Sequence, residues 1–164
     1  MGCLEEGCCA GCEYWEDRMR IRCTAASAGV LVSCAWWIFI DAVSVVKHNN
    51  DPVTVEAVAY LPAIGATIAF VMINAMDWGA LNADDMSYHG GERTAYCNRA
   101  ILAFALLLGF GSIVGAIMLL KDWAQGDVGG IEPDSVYPGV AVLLSTMLIF
   151  IATFVMRLGT AFAS

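Results

Sequence analysis

The sequence predicts an all-α integral membrane protein, a four-helix bundle with both termini in the cytosol. Three observations lead there. Four apolar stretches, about 24–46, 58–76, 100–120 and 136–156, each approach the ~20 residues that a helix needs to cross ~30 Å of hydrocarbon. Hydrophobic residues make up 59% of the 164 and the mean hydropathy is +0.69, while charged residues reach only 15%, where a soluble domain carries about 25%. Finally, Lys and Arg divide unevenly between the two sides. The side shared by the termini and the second loop holds Arg18, Arg20, Arg22, Arg93, Arg99 and Arg157, and the other holds Lys47 and Lys121. Six against two orients the termini to the cytosol. No apolar h-region precedes the first span, so that span itself is expected to direct insertion.

Residues 1–23 form a Cys-rich cytosolic arm. Within it, 13–23 combines Tyr14 and Trp15 with three arginines, which suits a short helix at headgroup level or a charged flank that anchors the first span. The four-span domain occupies 24–157. The first span carries Ala25, Gly29 and Ser33 at four-residue spacing, a small-residue face for close helix packing. Pro62 sits in the opening turns of the second span, where the N–H groups lack helical partners and proline is cheap. Gly111 and Gly115 give the third span a GxxxG pattern, expected to pack within the bundle. Before the fourth span, Asp134 or Ser135 offers a cap and Pro138 suits the first turn. Residues 158–164 make a short tail.

Candidate chemistry is sparse. Asp41 is the one acidic residue well inside a span, where an ionisable group is expensive and a functional hypothesis by default. Its depth is close to the non-cytosolic interface, at the level of Lys121, Tyr137 and Tyr60. A hydrogen bond or ion pair that clamps helix ends is the expected role. Asn74 lies near the cytosolic end, too far to reach Asp41, and suits a bond to backbone or to another helix. Trp36 and Trp37 lie deeper than an interfacial belt, and core packing is expected for both, with Trp37 on the face of Asp41.

Cys3, Cys8, Cys9 and Cys12 admit three chemistries. Juxtamembrane cysteines are S-acylation candidates, they also occur as free thiols, and Cys9-x-x-Cys12 is half of a zinc site. Without a second pair at suitable spacing no metal site is assigned, and no cofactor is expected. Met1-Gly2-Cys3 opens like a myristoylation signal, but Glu6 stands where Ser or Thr belongs. Seven cysteines, most of them on the reducing side, argue against a disulfide framework. His48 and His89 fall on opposite sides of the membrane. No HExxH, phosphate-cradling Gly loop or Ser/His/Asp set appears, so an enzyme is not expected. A net charge of −8 without a basic patch excludes nucleic acid as a partner.

Four stretches carry a family resemblance. They are Trp36-Trp37-Ile38-Phe39-Ile40-Asp41-Ala42, Ala66-Thr67-Ile68-Ala69-Phe70-Val71-Met72-Ile73-Asn74-Ala75, Gly109-Phe110-Gly111-Ser112 and Val136-Tyr137-Pro138-Gly139-Val140-Ala141-Val142. In order and spacing they resemble the transmembrane protein 50 family, which includes the vacuolar protein sorting 68 type. The Cys-rich arm exceeds the family pattern. The resemblance implies a four-span protein of the endoplasmic reticulum, Golgi or endosome that acts in transport from late endosome to vacuole or lysosome. It also implies a small four-span partner of the vacuolar protein sorting 55 type, and it brings no catalytic residues. The competing expectation is a small transporter or ion-conducting oligomer with a polar path near Asp41.

Overall fold

A computed structural model describes residues 5–48, 57–76, 91–126 and 135–161, with side chains described for 19–48, 57–76, 96–126 and 135–158. Four helices account for nearly all of them: α1 (Glu5–His48), α2 (Leu61–Ala75, preceded by a 3-10 turn Ala57–Tyr60), α3 (Gly91–Gln125) and α4 (Tyr137–Ala161). Each contains a segment long and apolar enough to cross a membrane: Met19–His48, Ala57–Ala75, Tyr96–Gln125 and Tyr137–Leu158. The all-α, four-span architecture follows.

The boundaries differ from the expected ones at the terminal side. No break divides the arm from the first span, because α1 runs unbroken for 44 residues, about 66 Å. Residues 5–23 lack proline, so a helix propagating through them meets no obstacle. The change at residue 24 is one of polarity alone. At the other end, α3 stops where Gly126 adopts φ 70°, the left-handed cap that glycine tolerates, and its N–H reaches back to the Trp123 carbonyl at 3.4 Å.

α4 is the hub. It packs against α1, α2 and α3, and α2 also packs against α3, whereas α1 leans chiefly on α4. Its start meets the ends of two neighbours: Tyr137 meets Asp41 of α1, and Gly139 meets Leu120 and Trp123 of α3. α1 and α3 therefore run parallel to one another and antiparallel to α4.

Small residues mediate these approaches. α1 buries Ala28, Ala35 and Ala42, spaced by seven, with Phe39 and Val46. A seven-residue repeat keeps one seam on the partner, as in left-handed bundles. α2 buries Ala63, Gly65, Ala66, Ala69 and Ile73. One apolar cluster joins Phe39, Ala59, Ala116 and Val142, and a second joins Ala35, Ala66 and Ile149. Trp36 packs on both.

The small-residue faces named from the sequence lie elsewhere. Ala25, Gly29 and Ser33 are exposed, and a Cβ at Gly29 would meet nothing within 4 Å. Gly111 is likewise open, whereas Gly115 is half-buried against α2, where a Cβ would meet Pro62 Cγ at 3.8 Å. The close approach on α3 is one residue on from Gly111, where Ser112 Oγ abuts Gly65 of α2. A second is at Gly109, which lies under the Phe150 ring of α4, 2.9 Å from Cε2 to a Cβ placed there.

The glycines therefore separate by substitution. At Gly139 a Cβ would stand 3.0 Å from Trp123 Cβ and 3.2 Å from Leu120 Cα, and backbone cannot step aside. Gly139→Val is expected to destabilise the bundle by about 1–3 kcal/mol, the usual cost of overpacking. Gly111→Ala, by contrast, is expected to leave thermal unfolding in detergent unchanged or slightly raised.

Candidate functional site: the α1–α4 clasp

Of the polar and aromatic residues singled out in the sequence, all but Asn74 gather at one end of the bundle, opposite the termini. Ser135 caps α4: the Tyr137 N–H donates to Ser135 Oγ at 3.1 Å. With its backbone so fixed, Tyr137 extends to α1, and its Oη donates to Asp41 Oδ2 at 2.6 Å. The next two residues, Pro138 and Gly139, are buried. This short stretch thus fastens α4 to α1 through a phenol and to α3 through the glycine that seats Trp123.

Of the other two partners considered for Asp41, Tyr60 packs edge-on against Phe39, with centroids 4.8 Å apart. Lys121 is exposed, and among the described residues it forms no ion pair with Asp41. Trp36 also stands edge-on to Phe39, at 5.9 Å. The order Trp36–Phe39–Tyr60 thus ties α1 to the turn before α2, just inside the Asp41–Tyr137 bond.

Trp37 departs from the core position expected of it. It is 71% exposed, on the outward face of α1. Helical geometry explains this: two residues beyond buried Ala35 is about 200° around the helix, so Trp37 faces away from the packed seam. Asn74 donates its amide to the Phe70 carbonyl of its own helix at 2.8 Å. Cys3 lies outside the described residues, and Cys8, Cys9 and Cys12 fall on α1 where side chains are not described.

The interior holds hydroxyls that sequence reasoning passed over. Ser145, Thr146 and Thr153 of α4 are buried, as is Ser112 of α3. Each donates to a carbonyl three or four residues earlier: Ser145 and Thr146 to Val142, Thr153 to Ile149, Ser112 to Leu108. Without water, a buried donor must be satisfied locally. Their recurrence beside Ala141 and Ala152, within an otherwise bulky apolar span, was the available signal. Trp123, also buried, was marked by its place at the level of Tyr137. Chemically the arrangement is a fastening. Among the described residues the buried interior contains no ionisable side chain, and its hydroxyls are already engaged.

Comparison with known proteins adds the family. The family described as "Uncharacterised protein family (UPF0220)" matches residues 8–163, all four helices included. The chain belongs to this family. It is similar to "Transmembrane protein 50 homolog" of Dictyostelium discoideum, 29% identical over 143 residues that cover 78% of this chain and 83% of that protein. It is also similar to "Vacuolar protein sorting-associated protein 68" of Saccharomyces cerevisiae, 27% identical over 142 residues, 76% of this chain and 77% of that one. No solved structure matches it significantly. The match extends beyond the clasp over the whole UPF0220 bundle, as the resemblance of the four quoted stretches implied.

Removing either partner of the Asp41–Tyr137 bond is expected to cost little, since interhelical hydrogen bonds in membranes average about 0.6 kcal/mol. A double-mutant cycle is more telling. Tyr137→Phe and Asp41→Ala, each melted in detergent, are expected to be non-additive, the second change adding almost nothing to the first. Additive losses would mean that the two residues act separately.

Proposed function

We propose that this chain is a non-enzymatic protein-sorting factor of the endomembrane system, acting as a subunit or adaptor beside a second small four-span protein in transport from late endosome to vacuole or lysosome. The observation that carries the reading is its similarity, over 76% of its length, to a protein named for vacuolar protein sorting. In this reading the terminal side faces the cytosol, as the six-to-two distribution of Lys and Arg favours, and the clasp faces the lumen. The endoplasmic reticulum and Golgi lie on its route.

Two features of the bundle support an adaptor. Gly29 on α1 and Gly111 on α3 point outward with nothing near them, so another helix can approach there as closely as backbone allows. The interior, in turn, is filled by alanine and by side chains as large as Phe39 and Ile149, at 1% and 0% exposure. A polar path for a transported ion would need unengaged polar groups through the depth of the bundle. Asp41 is at one end and is held by Tyr137.

Affinity purification of the full chain in mild detergent tests the proposal. A second small four-span protein is expected in stoichiometric amount. Gly29→Leu or Gly111→Leu is expected to reduce its recovery at least severalfold while thermal unfolding of the chain itself stays unchanged. Recovery of the chain alone, or only with copies of itself, would overturn the adaptor reading.

A further inference from the structure

The Asp41–Tyr137 bond uses one carboxylate oxygen and the phenol hydrogen, and it leaves the rest of both groups open. Both residues are exposed, so the bond lies on the outer side of the seam between α1 and α4. Asp41 Oδ1 and the lone pairs of Tyr137 Oη remain as neighbouring acceptors, with no donor among the described residues.

The carboxylate also lacks a counter-charge among the described residues. Lys121 forms no ion pair with it, and Lys47 on its own helix is about 120° around from it. His48 shares its face but is seven residues, about 10 Å, further out. Arg20, Arg22, Arg99 and Arg157 lie toward the opposite end of the bundle. One turn deeper than Asp41, on the same face of α1, stands Trp37, 71% exposed and with no acceptor for its N–H among the described residues. An indole N–H left unpaired in an apolar medium is costly. One lipid-facing surface therefore carries an anionic pair of acceptors near the interface and a donor about 6 Å below it.

We propose that Trp37, Asp41 and Tyr137 form a binding site for a phospholipid with a primary-amine headgroup, in the leaflet opposite the termini. The ammonium brings the missing positive charge and N–H donors for both Asp41 Oδ1 and Tyr137 Oη, and such charge-assisted bonds are the strong ones. The glycerol ester carbonyls of the same molecule lie deeper than its headgroup and accept the Trp37 N–H. Below Trp37, exposed Cys34 and Val30 continue the face, so an acyl chain lies there without displacing a packed side chain. Other lipids satisfy only part of the pattern. A choline headgroup has the charge but no N–H to donate. A sterol can give its one hydroxyl to Asp41, but its ring body has no acceptor at the depth of Trp37. A headgroup of net negative charge meets a like charge in Asp41. In the reading above the leaflet is the luminal one, but the site does not depend on that assignment.

The test uses the full chain purified in mild detergent and native mass spectrometry. Ethanolamine, N,N-dimethylethanolamine and choline phospholipids with identical acyl chains are added in equal amounts. Retention is expected to fall in that order, with the number of N–H donors. Ethanolamine should exceed choline by about tenfold, the worth of one charge-assisted hydrogen bond. Asp41→Asn is expected to bring the three lipids close to equal retention. Trp37→Phe keeps an aromatic ring and removes the N–H, and it should lower all three severalfold while preserving their order. Because Trp37 is outward, this second change disturbs no packing, and thermal unfolding checks the fold of both variants. Equal retention of the three lipids by the unchanged protein, or a preference that survives Asp41→Asn, would overturn the proposal. Displacement of the ethanolamine lipid by an equal amount of cholesterol would overturn it in favour of a sterol site. None of these outcomes touches the adaptor reading, since no partner protein is present.

Discussion

The close approach of helices along α4 is the constraint on which the rest of this structure depends. Inside a bilayer, lipid tails are as apolar as leucine, so no hydrophobic gain draws one span to another. Cohesion comes from van der Waals contact, and contact is greatest where backbones come nearest. α4 meets three neighbours and must offer small residues in more than one direction. Ala141, Ser145, Ala152 and Thr153, all buried, form that surface. The facing helices answer in kind, with Ala35 and Ala42 on α1, Ala66 and Ala69 on α2, and Ala105 and Ala116 on α3. The few large buried side chains, such as Phe39 and Ile149, fill what the alanines leave open.

That arrangement leaves α1 in a distinct position. α2, α3 and α4 each touch the other two, while α1 leans chiefly on α4. Its alanine seam gives close packing but little to stop the helix from sliding or turning. The Asp41–Tyr137 bond and the edge-on rings of Trp36, Phe39 and Tyr60 supply direction at one end. Each is modest in energy. Their value is geometric, because each fixes an angle that alanine contacts leave free. A carboxylate is tolerable in that place because it lies close to the interface, where its hydration is only partly lost.

The sequence was explicit about the spans and quiet about their faces, and the reason is physical. Length and polarity mark a membrane helix strongly, so all four segments were legible, as were Pro62 at the start of α2 and Ser135 before α4. Facing is another matter. In a soluble helix the buried stripe is the apolar one, but here both sides are apolar, and the usual periodicity carries almost no information. Trp37 and the Gly111 face were accordingly assigned inward and lie outward. The stronger cue was the run of small residues spaced by seven on α1, together with hydroxyls in α4 whose donors its own carbonyls absorb. The continuity of α1 through the arm was hidden for the opposite reason. A polarity change was visible at residue 24, and nothing in the backbone required a break there.

The same reading separates what the fold requires from what it does not. Most of the residues in the four quoted stretches have packing explanations. Trp36, Phe39 and Ala42 lie on the α1 seam, Gly109 accommodates Phe150, Ser112 faces Gly65, and Gly139 seats Trp123. Trp37 is different. Its indole stands outward beside a packed seam, and among the described residues its N–H has no hydrogen-bond partner. A buried tryptophan is explained by the contacts it makes, but an outward one is not explained by the packing of the chain that carries it. Its contacts lie outside this chain, in lipid or in a neighbouring protein. The outward faces of α1 and α3 are accordingly where the adaptor proposed above has room to dock a partner, since the interior is already packed.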